Sequence, residues 1–344
     1  MVINMSSKLF GIDFGTSVIK IYKKNSGVIY DSKNIIAVAD SERIIAYGDE
    51  AFDMLGKTPS NIEITFPVRN GVIADIEHMT SLLNSVFAEI EKKHGKIAGS
   101  EFIVASPTDI TEVEKRAFVD LVTSSDAKTK KIRIVEKPIA NALGAGLDVT
   151  NANGVMIVDI GADTTEISVL SLGGIVISKM VSVGGNKFDE NIIANVRKKH
   201  NLLIGQKTAE TIKKELACAV APEDKSIKVF GRDVVNGLPT EKEITAQFVY
   251  ETISELLSTI IDSIRIVLEK TPPEISADII DGGIFVTGGS AKIKGLDKLI
   301  SNETELNINI CEDPGNTVAI GLGRIIEDPK LDCLAAGMRQ SFYN

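Results

Sequence analysis

A short glycine-containing turn occurs twice in this chain of 344 residues and constrains its fold more than any other feature. The copies are Asp13–Ser17 and Asp159–Thr165. Each follows an apolar run and precedes an alternating one, which is the pattern of a β-hairpin. Backbone N–H groups and hydroxyls in such turns can hold phosphate oxygens, and a strand-end aspartate can hold Mg²⁺ through water. Two copies a domain's length apart predict a duplicated fold that holds one nucleotide from both sides.

A third turn, within Gly282–Ser290, strengthens this prediction. A buried-strand pattern there runs into Gly288-Gly289, where bare backbone would let a flat ring lie against it. An isolated turn of this kind is most often an ordinary hairpin. Three turns in this order are much more specific.

Composition excludes several classes of protein. The chain is 44% hydrophobic and long enough for about two domains. Its net charge of −9, without clustered Lys or Arg, argues against nucleic-acid binding. The three cysteines have unrelated spacings and fit neither a zinc site nor a disulfide framework. No apolar run approaches the roughly 20 residues of a membrane span and no signal peptide is evident, so a cytoplasmic location is expected.

Strand and helix patterns alternate along the chain, which predicts an α/β fold. A capping box at Thr111–Glu114 and Pro138 each predict the start of a helix. A long helix is expected from Thr245 to about Glu269, ended by Thr271-Pro272-Pro273. Other predicted helices cover about 187–200, 207–219 and 314–326, and predicted strands include 8–13, 17–24, 102–106, 132–135, 154–159, 164–170, 174–183 and 283–286.

The chain resembles the actin, sugar-kinase and heat-shock-chaperone ATPase superfamily and, within it, the bacterial actins of the MreB family. The similar stretches follow the family's order along nearly the whole chain. They include Thr58–Ile62, Asn70–Asp75, Ile110–Ala117, Gly173–Val176, Val183–Glu190, Asn201–Gly205, Thr208–Glu210, Gly231–Asp233 and Gly237–Pro239.

This resemblance implies an actin-like (ribonuclease H-like) duplicated α/β fold of two domains with a nucleotide cleft between them. Domain I is expected at 1–148 plus 325–344, with a small insertion at about 32–66. Domain II is expected at 149–324, with a small subdomain at about 185–255. The implied cofactors are ATP or ADP and Mg²⁺.

The metal and phosphate contacts are expected from the two hairpin turns. Asp13 and Asp159 are the candidates near the metal, and Lys20 stands at the spacing where eukaryotic actin has a phosphate-contacting lysine. Typical MreB proteins lack that lysine, and an exposed strand lysine is the alternative. The remaining phosphate-side candidates are Gly15, Thr16, Ser17, Gly161, Ala162 and Thr164.

The adenosine side is expected from three other segments. By resemblance, Lys213 and Glu210 lie one turn apart on a helix and contact the nucleoside; ordinary surface charges are the alternative. Gly288, Gly289 and Ser290 would lie against the base, and Gly184, Gly185 and Asn186 near the ribose. The family usually has Asp at the position of Asn186 and Glu at that of Gln206, but amide oxygens still accept hydrogen bonds.

Two departures concern hydrolysis. The family's Glu-Glu-Pro segment reads Glu136-Lys137-Pro138 here, and a protonated lysine cannot orient water by accepting a proton. Ala162-Asp163 replaces the usual Gly-Gly, which puts a carboxylate beside the γ-phosphate. Either Asp163 pairs with Lys137 across the cleft, or both side chains point into solvent. Lys137, Asp163 and Thr164 are the catalytic candidates, and only weak ATPase activity is expected.

The resemblance implies a filament-forming cytoskeletal protein that supports cell shape or motility. The expected partners are further copies of the chain, paralogous bacterial actins and, weakly, the inner face of the membrane. The Lys137 departure and the Lys/Asn/Ile-rich usage are compatible with a Spiroplasma-type paralogue. The alternative is a non-polymerising ATP-binding scaffold of a cell-division or envelope complex.

Candidate membrane contacts are weak. Met1–Ser7 is too short for an amphipathic helix, and the loop His94–Gly99 offers one large apolar residue. Leu334–Tyr343 is a better candidate for an anchor or partner contact, or it packs on its own domain.

Overall fold

The computed structural model describes residues 8–40 and 43–337 and divides into two compact units. Unit 1 comprises the chain up to Ala152, Leu170–Ile175 and the chain from Asn316 onward. Unit 2 comprises Asn153–Val169 and Val176–Gly315. The predicted domain boundaries stay a prediction. Among the described helices, none combines the length and apolar character needed to cross a membrane.

The first half of the chain contains ten strands and four helices within the described residues. They are β1 (Leu9–Phe14), β2 (Val18–Lys23), β3 (Gly27–Lys33), β4 (Ile36–Ala39), β5 (Arg43–Tyr47), α1 (Gly48–Met54), β6 (Ile62–Thr65), β7 (Val68–Arg69), β8 (Val72–Ile73), α2 (Ile76–His94), β9 (Glu101–Ser106), α3 (Glu112–Ser124), β10 (Lys131–Glu136) and α4 (Lys137–Gly144).

The second half contains nine strands and six α-helices within the described residues, with 3₁₀ helices at Gly289–Lys292 and Pro329–Leu334. They are β11 (Val155–Ile160), β12 (Thr165–Ser171), β13 (Gly174–Val181), α5 (Gly185–His200), β14 (Leu202–Leu203), α6 (Gln206–Leu216), β15 (Ser226–Asp233), β16 (Pro239–Thr245), α7 (Ala246–Lys270), α8 (Pro273–Gly282), β17 (Ile284–Thr287), α9 (Leu296–Thr304), β18 (Ile308–Ile310), α10 (Thr317–Glu327) and β19 (Ala336–Gly337).

Unit 1 is built on a six-stranded sheet in the order β19-β10-β9-β1-β2-β3. Strand β1 is buried along its whole length, runs parallel to β9 and pairs antiparallel with β2. Its apolar run therefore occupies the interior of the sheet, as a strand covered on both faces should. The first predicted hairpin is confirmed, with Asp13 directly opposite Lys20.

Helices α2 and α3 contribute apolar faces to the core of unit 1. Helix α2 begins at Asp75, whose side chain accepts a hydrogen bond from the His78 backbone. Helix α3 begins at Thr111 with both hydrogen bonds of the predicted capping box. Phe102 of β9 lies 5.5 Å from Phe10, measured between ring centroids, and joins the helices to the sheet. A smaller cluster fills the insertion formed by β4, β5, β6 and α1.

Unit 2 is built on a five-stranded sheet in the order β13-β12-β11-β17-β18. Strands β11 and β12 are neighbours joined by four residues, a connection too short for a parallel pair, so the second predicted hairpin is also confirmed. The faces of α5, α6 and α7 bury their apolar residues in one core. The three-stranded sheet β14-β15-β16 adds Leu202, Val229 and Ile244 to it.

The predicted elements differ from the observed ones mainly after residue 200. Helix α6 ends at Leu216, earlier than predicted. Thr271 follows the last residue of α7, as expected, but Pro273 then opens α8, because proline is well tolerated in the first turn of a helix. Helices α8 and α9 and strand β18 were not predicted.

Candidate functional site

The first turn, in unit 1, is held by a buried asparagine. Asn34 donates from Nδ2 to the Gly15 carbonyl oxygen at 2.8 Å, and its backbone N–H donates to the Ser17 carbonyl at 2.9 Å. Asn34 lies in the connection from β3 to β4 and is fully buried. A Cβ on Gly15 would lie 2.7 Å from the Val18 carbonyl oxygen, so the turn has no room for a side chain there.

The charged candidates of the first turn share one face. Asp13 is 9% exposed and lies at the end of the buried strand β1. Lys20, directly opposite it on β2, is half-buried. Directly opposed residues of an antiparallel pair project to the same side of the sheet, so Lys20 accompanies Asp13. Thr16 and Ser17 are also half-buried.

The second turn, in unit 2, is held by its neighbours in space. The Gly161 carbonyl oxygen accepts hydrogen bonds from the Gly185 N–H at 3.0 Å and the Ser290 hydroxyl at 3.2 Å. The Ala162 carbonyl accepts from the Asn186 N–H at 2.7 Å. Thr164 closes the turn, because its carbonyl accepts from the Gly161 N–H. The predicted ribose-side segment therefore lies directly on the predicted phosphate-side turn.

Asp163 and Asn186, two of the positions where the second half departs from the family's usual residues, are in contact. The amide Nδ2 of Asn186 donates to Oδ1 of Asp163 at 2.7 Å. Asp163 is half-buried, and this hydrogen bond directs its carboxylate toward α5. The predicted pairing of Asp163 with Lys137 stays a prediction. Lys137 is the first residue of α4 and is half-buried.

The third predicted turn reaches the same place in unit 2. Gly288 has φ +84°, and a Cβ on it would lie 2.4 Å from Oδ1 of Asp159. Only glycine fits this left-handed, crowded position. Asp159 is 6% exposed and pairs in register with Thr287 of β17. By contrast, a Cβ on Gly289 would meet no atom within 4 Å, so the backbone there faces open space.

Lys213 lies in a buried ion pair. Its Nζ is 2.7 Å from Oδ2 of Asp189 and donates to the Gly185 carbonyl at 2.8 Å, and the two side chains are 15% and 5% exposed. Burial raises the pKa of Asp189 to about 6, although Lys213 opposes the shift. Lys213 is thus no ordinary surface charge, and it supports the first residue of α5.

Glu210 and Gln206 also lie on α6. Glu210 pairs with Lys214 one turn further along the helix, at 2.8 Å. Lys214 is the more exposed partner, so this contact resembles a surface pair. Gln206 is the first residue of α6 and is half-buried.

Two residues that support the turns, Asn34 in unit 1 and Asp189 in unit 2, escaped the sequence analysis. Asn34 carries no motif, and only its contact with Gly15, nineteen positions away, reveals its role. Asp189 lies in the stretch that carried the family resemblance, but no motif marks its carboxylate. A charged residue three positions after Asn186, on the side of α5 that faces the core, was the available signal.

Comparison with known proteins agrees with this fold. The family described as MreB/Mbl protein matches residues 7–332. The cell shape-determining protein Mbl of Bacillus subtilis (strain 168) is 37% identical over 327 residues, covering 94% of this chain and 97% of that protein. The cell shape-determining protein MreB of Escherichia coli (strain K12) is 35% identical over 329 residues, covering 94% of each.

Solved structures show the same likeness. MreB5 of Spiroplasma citri bound to AMPPNP superposes with a TM-score of 0.89 at 32% identity, covering 95% of this chain and 98% of that one. The MamK double helical filament has a TM-score of 0.78 at 22% identity, which shows a shared fold alone. These matches, with the paired hairpins and sheets described above, define the actin-like class of α/β proteins.

The particular family follows from the sequence matches along almost the whole chain. The chain belongs to the MreB/Mbl family, and the predicted resemblance is confirmed.

Proposed function

We propose that the protein is a cytoplasmic bacterial actin that binds ATP or ADP with Mg²⁺ and polymerises into homopolymer filaments supporting cell shape or motility. The names of its relatives support this proposal. Mbl and MreB are cell shape-determining proteins, and MreB5 of Spiroplasma citri has been solved bound to AMPPNP and to ADP.

The observation that carries the proposal is the meeting of three segments in unit 2. The turn Gly161–Thr164, the start of α5 at Gly184–Asn186 and the turn Gly288–Ser290 were each assigned to the nucleotide from sequence. The start of α5 and Ser290 each donate hydrogen bonds to the turn Gly161–Thr164. The segments predicted to contact the phosphates, the ribose and the base thus lie beside one another.

The residues present fit a nucleotide and its metal. Gly289 offers bare backbone beside open space, which suits a flat ring. Asp13 and Asp159 are nearly buried carboxylates at strand ends. Carboxylate oxygens that reach the ion through water are typical of Mg²⁺ sites.

Each segment has a distinct role in this proposal. Bound ATP with Mg²⁺ supplies the phosphoanhydride bond and the charge that neutralises its phosphates. Asp13 and Asp159 would hold the metal through water, Lys20 would add positive charge near the phosphates, and Lys213 fixes the start of α5 through Gly185. Lys137 stands where a carboxylate would orient water, and because an ammonium group only donates, hydrolysis is slow.

We place further contacts of the protein on the surface of the filament. The proposed contacts are with paralogous bacterial actins and, weakly, with the membrane. The loop His94–Gly99 is a poor membrane candidate, because its one large apolar residue, Ile97, is 1% exposed and packs in the core of unit 1. Met1–Ser7 lies outside the described residues, as does Met338–Tyr343. Ala336–Gly337 pairs with β10. Sedimentation with anionic vesicles tests the membrane contact.

Filament formation is tested by sedimentation and electron microscopy with ATP, ADP and AMPPNP. A head-to-tail interface that does not close generates a filament. Because the monomer carries a net charge of −9, moderate salt or Mg²⁺ should promote assembly by screening self-repulsion. A protein that binds nucleotide but stays monomeric at all nucleotide, salt and protein concentrations would instead be the non-polymerising scaffold.

A further inference from the structure

Asp163 and Asn186 form one hydrogen-bonded unit at the second turn. Asp163 is the third residue of the turn Gly161–Thr164, and Asn186 is the second residue of α5. The 2.7 Å hydrogen bond between them is the side-chain contact that ties the tip of the turn to the helix. A hydrogen bond to an ionised acceptor is about twice as strong as one between neutral groups.

The backbone around this pair leaves little freedom. The same asparagine donates its backbone N–H to the Ala162 carbonyl, and the neighbouring Gly185 donates to Gly161. A Cβ on Gly184 would lie 2.6 Å from the Ala162 carbonyl oxygen. Two backbone hydrogen bonds therefore join the turn to the start of α5, and the side-chain pair adds a third contact at the tip of the turn.

The chemistry of the pair requires one donor and one acceptor. An aspartate at position 186 would place two carboxylates at hydrogen-bonding distance, where repulsion displaces one or raises its pKa. An asparagine at position 163 would still accept the hydrogen bond. The carboxylate of Asp163 also lies at the N-terminus of α5, where the helix dipole favours negative charge.

We propose that Asp163 and Asn186 are a positioning pair, which we call the latch, that holds the turn Gly161–Thr164 in the conformation that receives the nucleotide phosphates. Asn186 acts through Asp163, not by its own contact with the nucleotide. The latch also directs the carboxylate toward α5, so that its charge repels the phosphates less. This proposal rests on the proposed function, because it assigns the second turn to phosphate.

Exchange of the two residues tests the latch. The affinity for ADP·Mg²⁺ and for AMPPNP·Mg²⁺ is measured by calorimetry for the wild type, Asn186→Asp, Asp163→Asn and the double variant Asp163→Asn/Asn186→Asp. A hydrogen bond to a charged group is worth about 1.5–3 kcal/mol, so Asn186→Asp should lower the affinity roughly 10- to 100-fold. Asp163→Asn keeps an acceptor and should change affinity by less than about fivefold.

The double variant is decisive because it restores one donor and one acceptor with the charge on the other side. Its affinity should recover to within about fivefold of the wild type, a non-additivity expected for residues in contact. Asn195→Asp is the matched control, since Asn195 lies on the same helix and donates to the Asn191 carbonyl instead. It should bind nucleotide as the wild type does.

Each outcome decides the question. If the double variant folds but binds as poorly as Asn186→Asp, the residues do not act as a pair and Asn186 contacts the nucleotide itself. If Asn186→Asp fails to fold, recovery of both folding and binding in the double variant supports the latch. A wild type that binds no nucleotide overturns the proposed function together with the latch, whereas wild-type binding without rescue overturns the latch alone.

Discussion

The two hairpin turns share a sequence pattern but are held in place differently. The first, at Gly15, depends on Asn34, a single fully buried residue whose side-chain amide donates to the Gly15 carbonyl and whose backbone N–H donates to the Ser17 carbonyl. The second, at Gly161, depends on the start of α5, on Ser290 and on the pair formed by Asp163 and Asn186. A turn held by one buried residue tolerates little change. A turn held by several half-buried side chains can be adjusted.

The largest expected effect is on the rate of ATP hydrolysis, and it compares the departures from the family's usual residues in unit 1 and unit 2. In unit 1, Lys137→Glu should raise the rate of phosphate release by roughly 10²–10⁴, the range of general-base contributions. Phosphate release is measured at saturating ATP·Mg²⁺, with nucleotide affinity as the control.

A second change tests whether unit 2 limits that gain. Adding Asp163→Gly should raise the rate beyond that of Lys137→Glu alone, because under the proposed function two carboxylates would otherwise lie near the phosphates. Asp163→Gly also removes the hydrogen bond to Asn186, which the proposed latch expects to weaken nucleotide binding, so rates are compared at saturating ATP·Mg²⁺ and thermal stability is measured in parallel. Brisk hydrolysis by the wild type, or no response of either variant with binding intact, would assign the chemistry to other residues.

The same substitution in the two turns compares their supports. Asn34→Asp should lower the free energy of unfolding at pH 7 by about 3–5 kcal/mol, because a fully buried carboxylate either stays charged beside the Gly15 carbonyl or takes up a proton at a raised pKa. Asn186→Asp should cost less than about 2 kcal/mol, since Asn186 is half-buried and water can reach it. Urea unfolding measures both. Equal losses would contradict the difference between the turns.

The Asp189–Lys213 ion pair, which supports the start of α5 beside the second turn, should make the stability of the protein depend on pH. The pKa of Asp189 is about 6 in the folded protein, above its ordinary value of 3.8. The folded state therefore binds this proton more tightly, so stability falls as pH rises from about 4 to 6 and is constant above. Two pKa units correspond to roughly 3 kcal/mol at most.

Asp189→Asn should remove this part of the pH dependence. Urea unfolding from pH 4 to 7.5 compares it with the wild type, and Glu190→Gln, an exposed neighbour on α5, is the matched control. Identical slopes for Asp189→Asn and the wild type would show that Asp189 titrates normally.

The smallest expected effect concerns the glycines. A Cβ on Gly15 would lie 2.7 Å from the Val18 carbonyl oxygen, whereas one on Gly161 would lie 3.1 Å from that of Thr164. Gly15→Ala should therefore cost about 1–3 kcal/mol of stability and Gly161→Ala less than about 1 kcal/mol. Thermal unfolding without nucleotide measures the loss of stability in each variant. A greater loss for Gly161→Ala would reverse the comparison.

Local patterns predicted much of this fold. The two hairpins, the capping box at Thr111 and the end of α7 at Lys270 depend on residues close together in sequence, where spacing and backbone preference act directly. The assignment to the actin-like class also followed from such stretches, taken in order. Helices α8 and α9 were missed because their sequences are short and contain few apolar residues in a row, and α8 begins at a proline. Such segments are equally compatible with a loop.

The sequence alone determined which segments form the turns and that two of them recur, because turn and strand propensities are short-range. Only the tertiary structure decided what holds each turn. Asn34 reaches Gly15, and Asn186 reaches Asp163, across sequence separations that no local pattern encodes. The burial of Ile97 in the core, and of Asp189 beside Lys213, was likewise visible only in the folded structure. Removal from water depends on every neighbouring element, and so it is a property of the folded chain.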